Sequence, residues 1–155
     1  MDFLPELAPA RGLILFDLTT KKISTLPSSE GLRSPRWSLD GRYIAALRDD
    51  GKLVLYEYST HKRTDLGAFA GRYGFFNRNW SRDGKLLYLL GVPTGERLAL
   101  SCYRLSERKW EEIISPEEFK KVPGVTSFGL APDDSPLFVR DTSVTEIYAL
   151  DFEAP

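Results

Sequence analysis

A chain of 155 residues is long enough for one ordinary domain with a real core. Its 21 basic and 22 acidic side chains nearly cancel, so net charge supplies no field to collect DNA or anionic lipid. One cysteine, Cys102, excludes an internal disulfide and any multi-cysteine metal site.

Aromatic residues are plentiful and no long polar tract occurs, so composition predicts a folded chain. No run of about 18 apolar residues predicts a membrane helix. The opening MDFLPELAPARG lacks the basic stretch and apolar run of a secretory signal. The compartment, cytoplasmic or periplasmic, depends on whatever precedes the chain.

In chain order, residues 13–26 predict two short strands joined by the polar turn Asp17-Leu18-Thr19-Thr20-Lys21-Lys22. Residues 33–66 predict four strands. The first ends at Trp37, and Ser38-Leu39-Asp40-Gly41 makes a tight hairpin, since Asp bonds nearby backbone N–H groups and Gly accepts positive φ. RYIAAL follows, then Asp50-Gly51, then LVLYEY, then a Ser-Thr-His-Lys turn into RTDL. Residues 75–113 repeat the plan: Trp80-Ser81-Arg82-Asp83-Gly84-Lys85, KLLYLL, a Pro-Thr-Gly turn, LALSCYRL, and a last turn into WEEI. Residues 115–123 predict one inserted helix over Pro116 to about Val122, capped by Ser115 with Glu118 three positions on, and ended by Pro123-Gly124. Residues 125–152 predict three strands, VTSFGL, PLFVRD and EIYALDF. Between the first two, Leu130-Ala131-Pro132-Asp133-Asp134-Ser135 is a degraded copy of the Trp turn, with Asp134 in the glycine position.

A second phrase repeats in register: 17–26 aligns with 57–66 and with 104–113, at spacings of 40 and 47 residues. Four antiparallel strands per 40–47 residues is the period and content of a propeller blade. The predicted fold class is therefore all-β: a single partial β-propeller, with 13–26 a half blade, 33–66 and 75–113 complete blades, and 125–152 a three-stranded last blade. Thirteen strands are too few to close a ring. Open blade edges predict self-association, for instance a two-chain ring of about seven blades.

The run SPRWSLDGRYIAAL…LVLYEY resembles the PD40, or WD40-like, repeat of TolB-type β-propellers. The closing run Leu130 to Pro155 resembles the C-terminal end of bacterial regulators in which a winged-helix or Ser/Thr kinase domain precedes such a propeller. The resemblance implies a propeller end or a short stand-alone relative. No winged helix and no kinase signature stands in these residues, so direct nucleic-acid binding and phosphoryl transfer are not carried over to them.

Candidate chemistry is sparse. His61 is the only histidine and occupies a turn position held by Lys21 and Arg108 in the other copies, which predicts a surface turn residue. No Gly-x-Ser-x-Gly elbow accompanies it. Cys102 lies in an alternating strand and reads as a packed small residue. Asp40, Gly41, Asp83, Gly84 and Asp133 read as structural turn residues rather than acid–base or metal groups. Trp37, Trp80 and Leu130 are equivalent and predict core packing between blades. Asn79-Trp80-Ser81 fits the glycosylation pattern but falls inside a strand and turn.

Arg33, Arg36, Arg72 and Arg78 flank the first strands of successive blades, the strands that line a propeller channel. They predict a basic patch able to hold an acidic peptide or carboxylate. The expected function is a non-enzymatic module that binds protein or peptide through Arg33–Arg36 and Arg72–Asn79, without cofactor or metal. The alternatives are the propeller gate of a prolyl-oligopeptidase-like hydrolase and a self-associating structural module.

Overall fold

The computed structural model describes residues 12–68, 77–91 and 98–144. Among them are twelve strands and one short helix, and within each of four sheets consecutive strands pair antiparallel. β1 (Ile14–Phe16) pairs with β2 (Ile23–Thr25). β3 (Leu32–Trp37), β4 (Tyr43–Arg48), β5 (Lys52–Glu57) and β6 (Arg63–Ala68) form one four-stranded sheet. β7 (Asn77–Trp80), β8 (Leu86–Gly91), β9 (Ala99–Arg104) and β10 (Lys109–Ile114) form the next. After α1 (Pro116–Phe119), β11 (Val125–Leu130) pairs with β12 (Pro136–Arg140). This is a partial all-β propeller. The stretch EIYALDF lies outside the described residues.

Sandwiching each complete sheet between two others explains why its middle strands read as continuous apolar runs. Side chains alternate across a strand. Ile44, Ala46, Val54 and Tyr56 therefore point one way, onto Leu13 and Leu26 beside the first strand pair. Their neighbours Ala45, Leu47, Leu53 and Leu55 point the other way, onto Leu87, Leu89, Trp80 and Tyr103 of the next sheet. On that sheet's far face, Leu90 and Leu100 meet Phe128 and Phe119. Burying each such leucine contributes about 1.5–3 kcal/mol, so the stack is held mainly face to face.

The turns repeat as their sequences predict. Gly41, Gly84 and Asp134 take φ of 73°, 69° and 65° at the same point. Asp40 Oδ1 accepts from Ser38 Oγ at 2.6 Å and from Arg42 N at 3.1 Å. Asp83 Oδ1 accepts from Ser81 Oγ at 2.8 Å and from Lys85 N at 3.0 Å. Asp133 Oδ1 accepts from Ser135 N at 3.0 Å. The third turn is one residue shorter: its closing bond runs from Ala131 N to Ser135 O, against Ser38 to Tyr43 and Ser81 to Leu86. Pro136 consequently stands opposite Leu130 as Ile44 stands opposite Trp37 and Leu87 opposite Trp80. This turns Phe138 inward and leaves Leu137 and Val139 on the outer face. A one-residue slip exchanges the faces of a strand.

Two expectations are corrected. The helix ends at Phe119 rather than about Val122. Lys121 and Val122 donate three residues back, to Glu118 and Phe119, and the tail tightens into 3₁₀-type turns. Its capping box forms as predicted, with Glu118 N donating to Ser115 Oγ and Ser115 N to Glu118 Oε2. Phe119 anchors it, edge-on to Phe138 at 5.4 Å. The second correction is Trp37, which is not core. It is 40% exposed, against 8% for Trp80, because the described sheet before it consists only of β1 and β2. Leu130 is half-buried against the third cluster.

Candidate functional site

The first strands β3, β7 and β11 lie side by side along one margin of the stack. Three consecutive side chains of β7 bind this row together. Arg78 Nη2 donates to the Ser34 carbonyl. Asn79 Nδ2 donates to the Phe128 carbonyl at 3.2 Å, and Trp80 Nε1 to the Arg36 carbonyl at 2.9 Å. Asn79 is thus an inter-strand tie, the role that its glycosylation-like context obscured.

Ser34 presents its carbonyl to Arg78 because β3 bulges there. Register shifts between Arg33 and Arg36, and Ser34 adopts φ 52°. A proline inside a strand signals an edge or a bulge. Ser34-Pro35 carries that signal in the sequence.

Arg78 is the unusual group. Its residue is 3% exposed, so it is no solvated rim charge. Its Nε and Nη1 find no acceptor among the described residues. Burial, then the like charges of Arg36 and Arg33, pull its guanidinium down to about 10. A guanidinium carries five N–H donors in a planar double fork. The Ser34 carbonyl takes one Nη2 proton, so one complete two-pronged edge remains. Arg36 is exposed, with Nη1 on its neighbour's carbonyl, that of Pro35, at 3.1 Å. Arg33 is exposed and lies 3.8 Å from Asp49. The structure therefore brings Arg33, Arg36 and Arg78 into one group. Arg72 lies outside the described residues. Local positive charge with an unfilled fork suits a carboxylate.

The remaining candidates behave as turn and core groups. His61 sits at φ 57°, like Lys21 at 57° and Arg108 at 54°. Its Nδ1 is 2.8 Å from the Tyr56 hydroxyl, which also donates to the Pro27 carbonyl. Burial pushes the Cys102 thiol up, the opposite of an activated nucleophile. Backbone bonding from Lys85, then the Ser81 hydroxyl, lowers Asp83 to about 2. Burial opposes ionisation of Asp40, but bonds from Ser38 and Arg42 outweigh it and hold its carboxyl below the usual range. Among the described residues, no three His, Cys, Asp or Glu side chains converge on a metal position.

At the turn end of the first strands lies an open groove of about 380 Å³ between Leu39, Trp80, Arg82 and Pro132. There Asp134 Oδ1 accepts from Arg82 N at 2.9 Å.

Comparison with solved structures places this architecture. TolB from Acinetobacter baumannii aligns over 81% of this chain with a TM-score of 0.58 and 18% identity. The tricorn protease aligns over 77% with a TM-score of 0.58 and 13% identity. The chain spans 30% of the length of that TolB chain and 12% of that tricorn chain. No family model matches the sequence, and no curated protein is similar to it. The likeness is one of fold, and the TolB-type propeller resemblance read from the repeats holds.

Proposed function

We propose that this chain is a non-enzymatic propeller module that binds a protein or peptide through an acidic side chain, as the sensing or scaffold part of a bacterial regulatory protein. One observation carries the reading: Arg78 is buried beside Arg33 and Arg36 with donors that meet no acceptor among the described residues. A charge held away from water needs compensation, and net charge of −1 over the chain makes the positive group a local feature. Loops and strand margins on a rigid scaffold are where binding residues gather. The likeness to TolB supports the propeller scaffold for this role.

A glutamate-rich peptide and its glutamine counterpart, titrated by calorimetry, test the proposal. The acidic peptide is expected to bind, to be recovered uncleaved, and to weaken at least tenfold with Arg78→Met and in high salt. Equal binding of both peptides, or no binding of the acidic one, overturns it.

A second reading, the propeller of a larger protease, draws on the likeness to the tricorn protease. A hydrolase domain in the parent reading frame, with cleavage of the same peptide by the intact product, would favour it.

A further inference from the structure

The two ends of the stack are complementary halves of one sheet. β1 and β2 align with β5 and β6, the third and fourth strands of a complete blade: Phe16 pairs with Ile23 as Tyr56 pairs with Arg63. β11 and β12 occupy the places of β3 and β4, the first and second strands. Each half also exposes apolar residues on the face that the neighbouring complete sheet of a closed ring would cover. Ile14, Phe16 and Ile23 are 70%, 48% and 71% exposed at one end, and Leu137 and Val139 are 68% and 57% exposed at the other.

We propose that two copies of this chain close into a six-bladed ring, in which β11–β12 of one copy and β1–β2 of the other complete a shared four-stranded sheet. The second copy is the occupant because the chain itself carries both halves, at opposite ends of the stack of described sheets. Among the described residues, one copy supplies two complete sheets and two half sheets. Two copies give six sheets, within the four to eight that close a propeller, and the two joints are related by a two-fold axis. The proposed total is six, against the expected seven or so, because the described end pairs occupy different strand positions of one blade.

The register follows from the complete blade, where Ile44 faces Tyr56 and Ala46 faces Val54. In the shared sheet Pro136 then faces Phe16, and Phe138 faces Ile14, across copies. Leu13 O already accepts from Leu26 N and Asp17 N donates to Lys22 O, on either side of β2, so alternation leaves the backbone groups of Ile14 and Phe16 on the open edge. Pro136 offers that edge an acceptor only, and Phe138 offers both groups. Phe16 and Ile14 would cover the face that holds Leu90 and Leu100, while Leu137 and Val139 would cover Ile44 and Tyr56 of the second copy. Trp37 gains an acceptor in the same arrangement. Trp80 donates to the residue before Trp37, and the equivalent carbonyl for Trp37 is Gly129 of the second copy.

Light scattering on the full chain should give two copies at micromolar concentration. Phe16→Glu and Leu137→Glu replace exposed side chains, so each variant should stay folded by circular dichroism yet run as a monomer. An equimolar mixture of the two should recover pairs, since one of the two joints is then intact. Under oxidation, Phe16→Cys mixed with Pro136→Cys should give a disulfide-linked pair, while neither alone does so. A wild-type monomer overturns the proposal, including one in which residues 146–152 fill the β12 edge. Assemblies larger than two copies, or a Phe16→Cys variant that links to itself, also overturn it. Loss of acidic-peptide binding by Arg78→Met with pairing retained separates this result from the carboxylate reading.

Discussion

The indole N–H of Trp80 donates to the carbonyl of Arg36, 44 residues earlier, at 2.9 Å. Trp110 repeats the bond at the outer end of the same sheet, donating to the Leu66 carbonyl at 2.7 Å, again 44 residues away. One sheet is thus pinned to the previous one at its inner and outer strands. The directional bonds set the angle at which the apolar faces meet.

Trp80→Phe keeps the ring and removes the N–H. Leaving the part-buried Arg36 carbonyl unpaired should lower stability by about 1 kcal/mol in urea unfolding. Trp37→Phe, at concentrations where the chain is monomeric, should change it by less than about 0.5 kcal/mol. Equal losses for the two variants would remove the distinction between the two tryptophans.

Arg78→Met should act oppositely on stability and on binding. Methionine fills similar space without a charge to compensate, so unliganded stability should rise by about 1 kcal/mol while affinity for an acidic peptide falls. A fall in thermal midpoint without ligand would show that Arg78 is already satisfied.

Acid should weaken the turns. Asp83 is held at about 2 against an ordinary 3.8 by Lys85 and Ser81, and Asp50 is held at about 2 chiefly by Arg48. A lowered folded-state value adds stability above the unfolded value and loses it as pH falls toward the folded one. Stability should therefore drop between about pH 4 and about pH 2, and Asp83→Asn should flatten part of that drop. Thermal midpoints across this range give the answer, and an unchanged slope in the variant would count against it.

The left-handed turn residues offer a graded test. Arg108 is exposed at φ 54°, a conformation that costs an L-residue about 1–2 kcal/mol. Glycine relieves this but loses up to about 1 kcal/mol in chain entropy, so Arg108→Gly should stabilise by about 0.5 kcal/mol. His61→Gly removes the bond to Tyr56 as well and should not stabilise. Chemical denaturation of the two variants side by side decides it.

The hairpins at Asp40-Gly41 and Asp83-Gly84 and the helix start at Ser115 are legible in the sequence, because turn chemistry and strand alternation act between residues a few positions apart; the Pro93-Thr94-Gly95 turn lies outside the described residues. Asp40, Gly41, Asp83 and Gly84 specify their turns wherever the blade stands. The shortened third turn is not legible in the repeat, since losing one residue after Asp134 leaves the local phrase intact while exchanging the faces of β12.

What only the tertiary structure decided is which equivalent residues are buried. Trp37 and Trp80 are the same letter in the same phrase, yet one is exposed and the other is not. Arg36 and Arg78 are both arginines of first strands, and only Arg78 is enclosed with donors unfilled among the described residues. Burial belongs to the packing of one sheet on the next, made by residues some 44 positions away. A repeat repeats its own conformation, but an open stack gives its ends and its middle different neighbours.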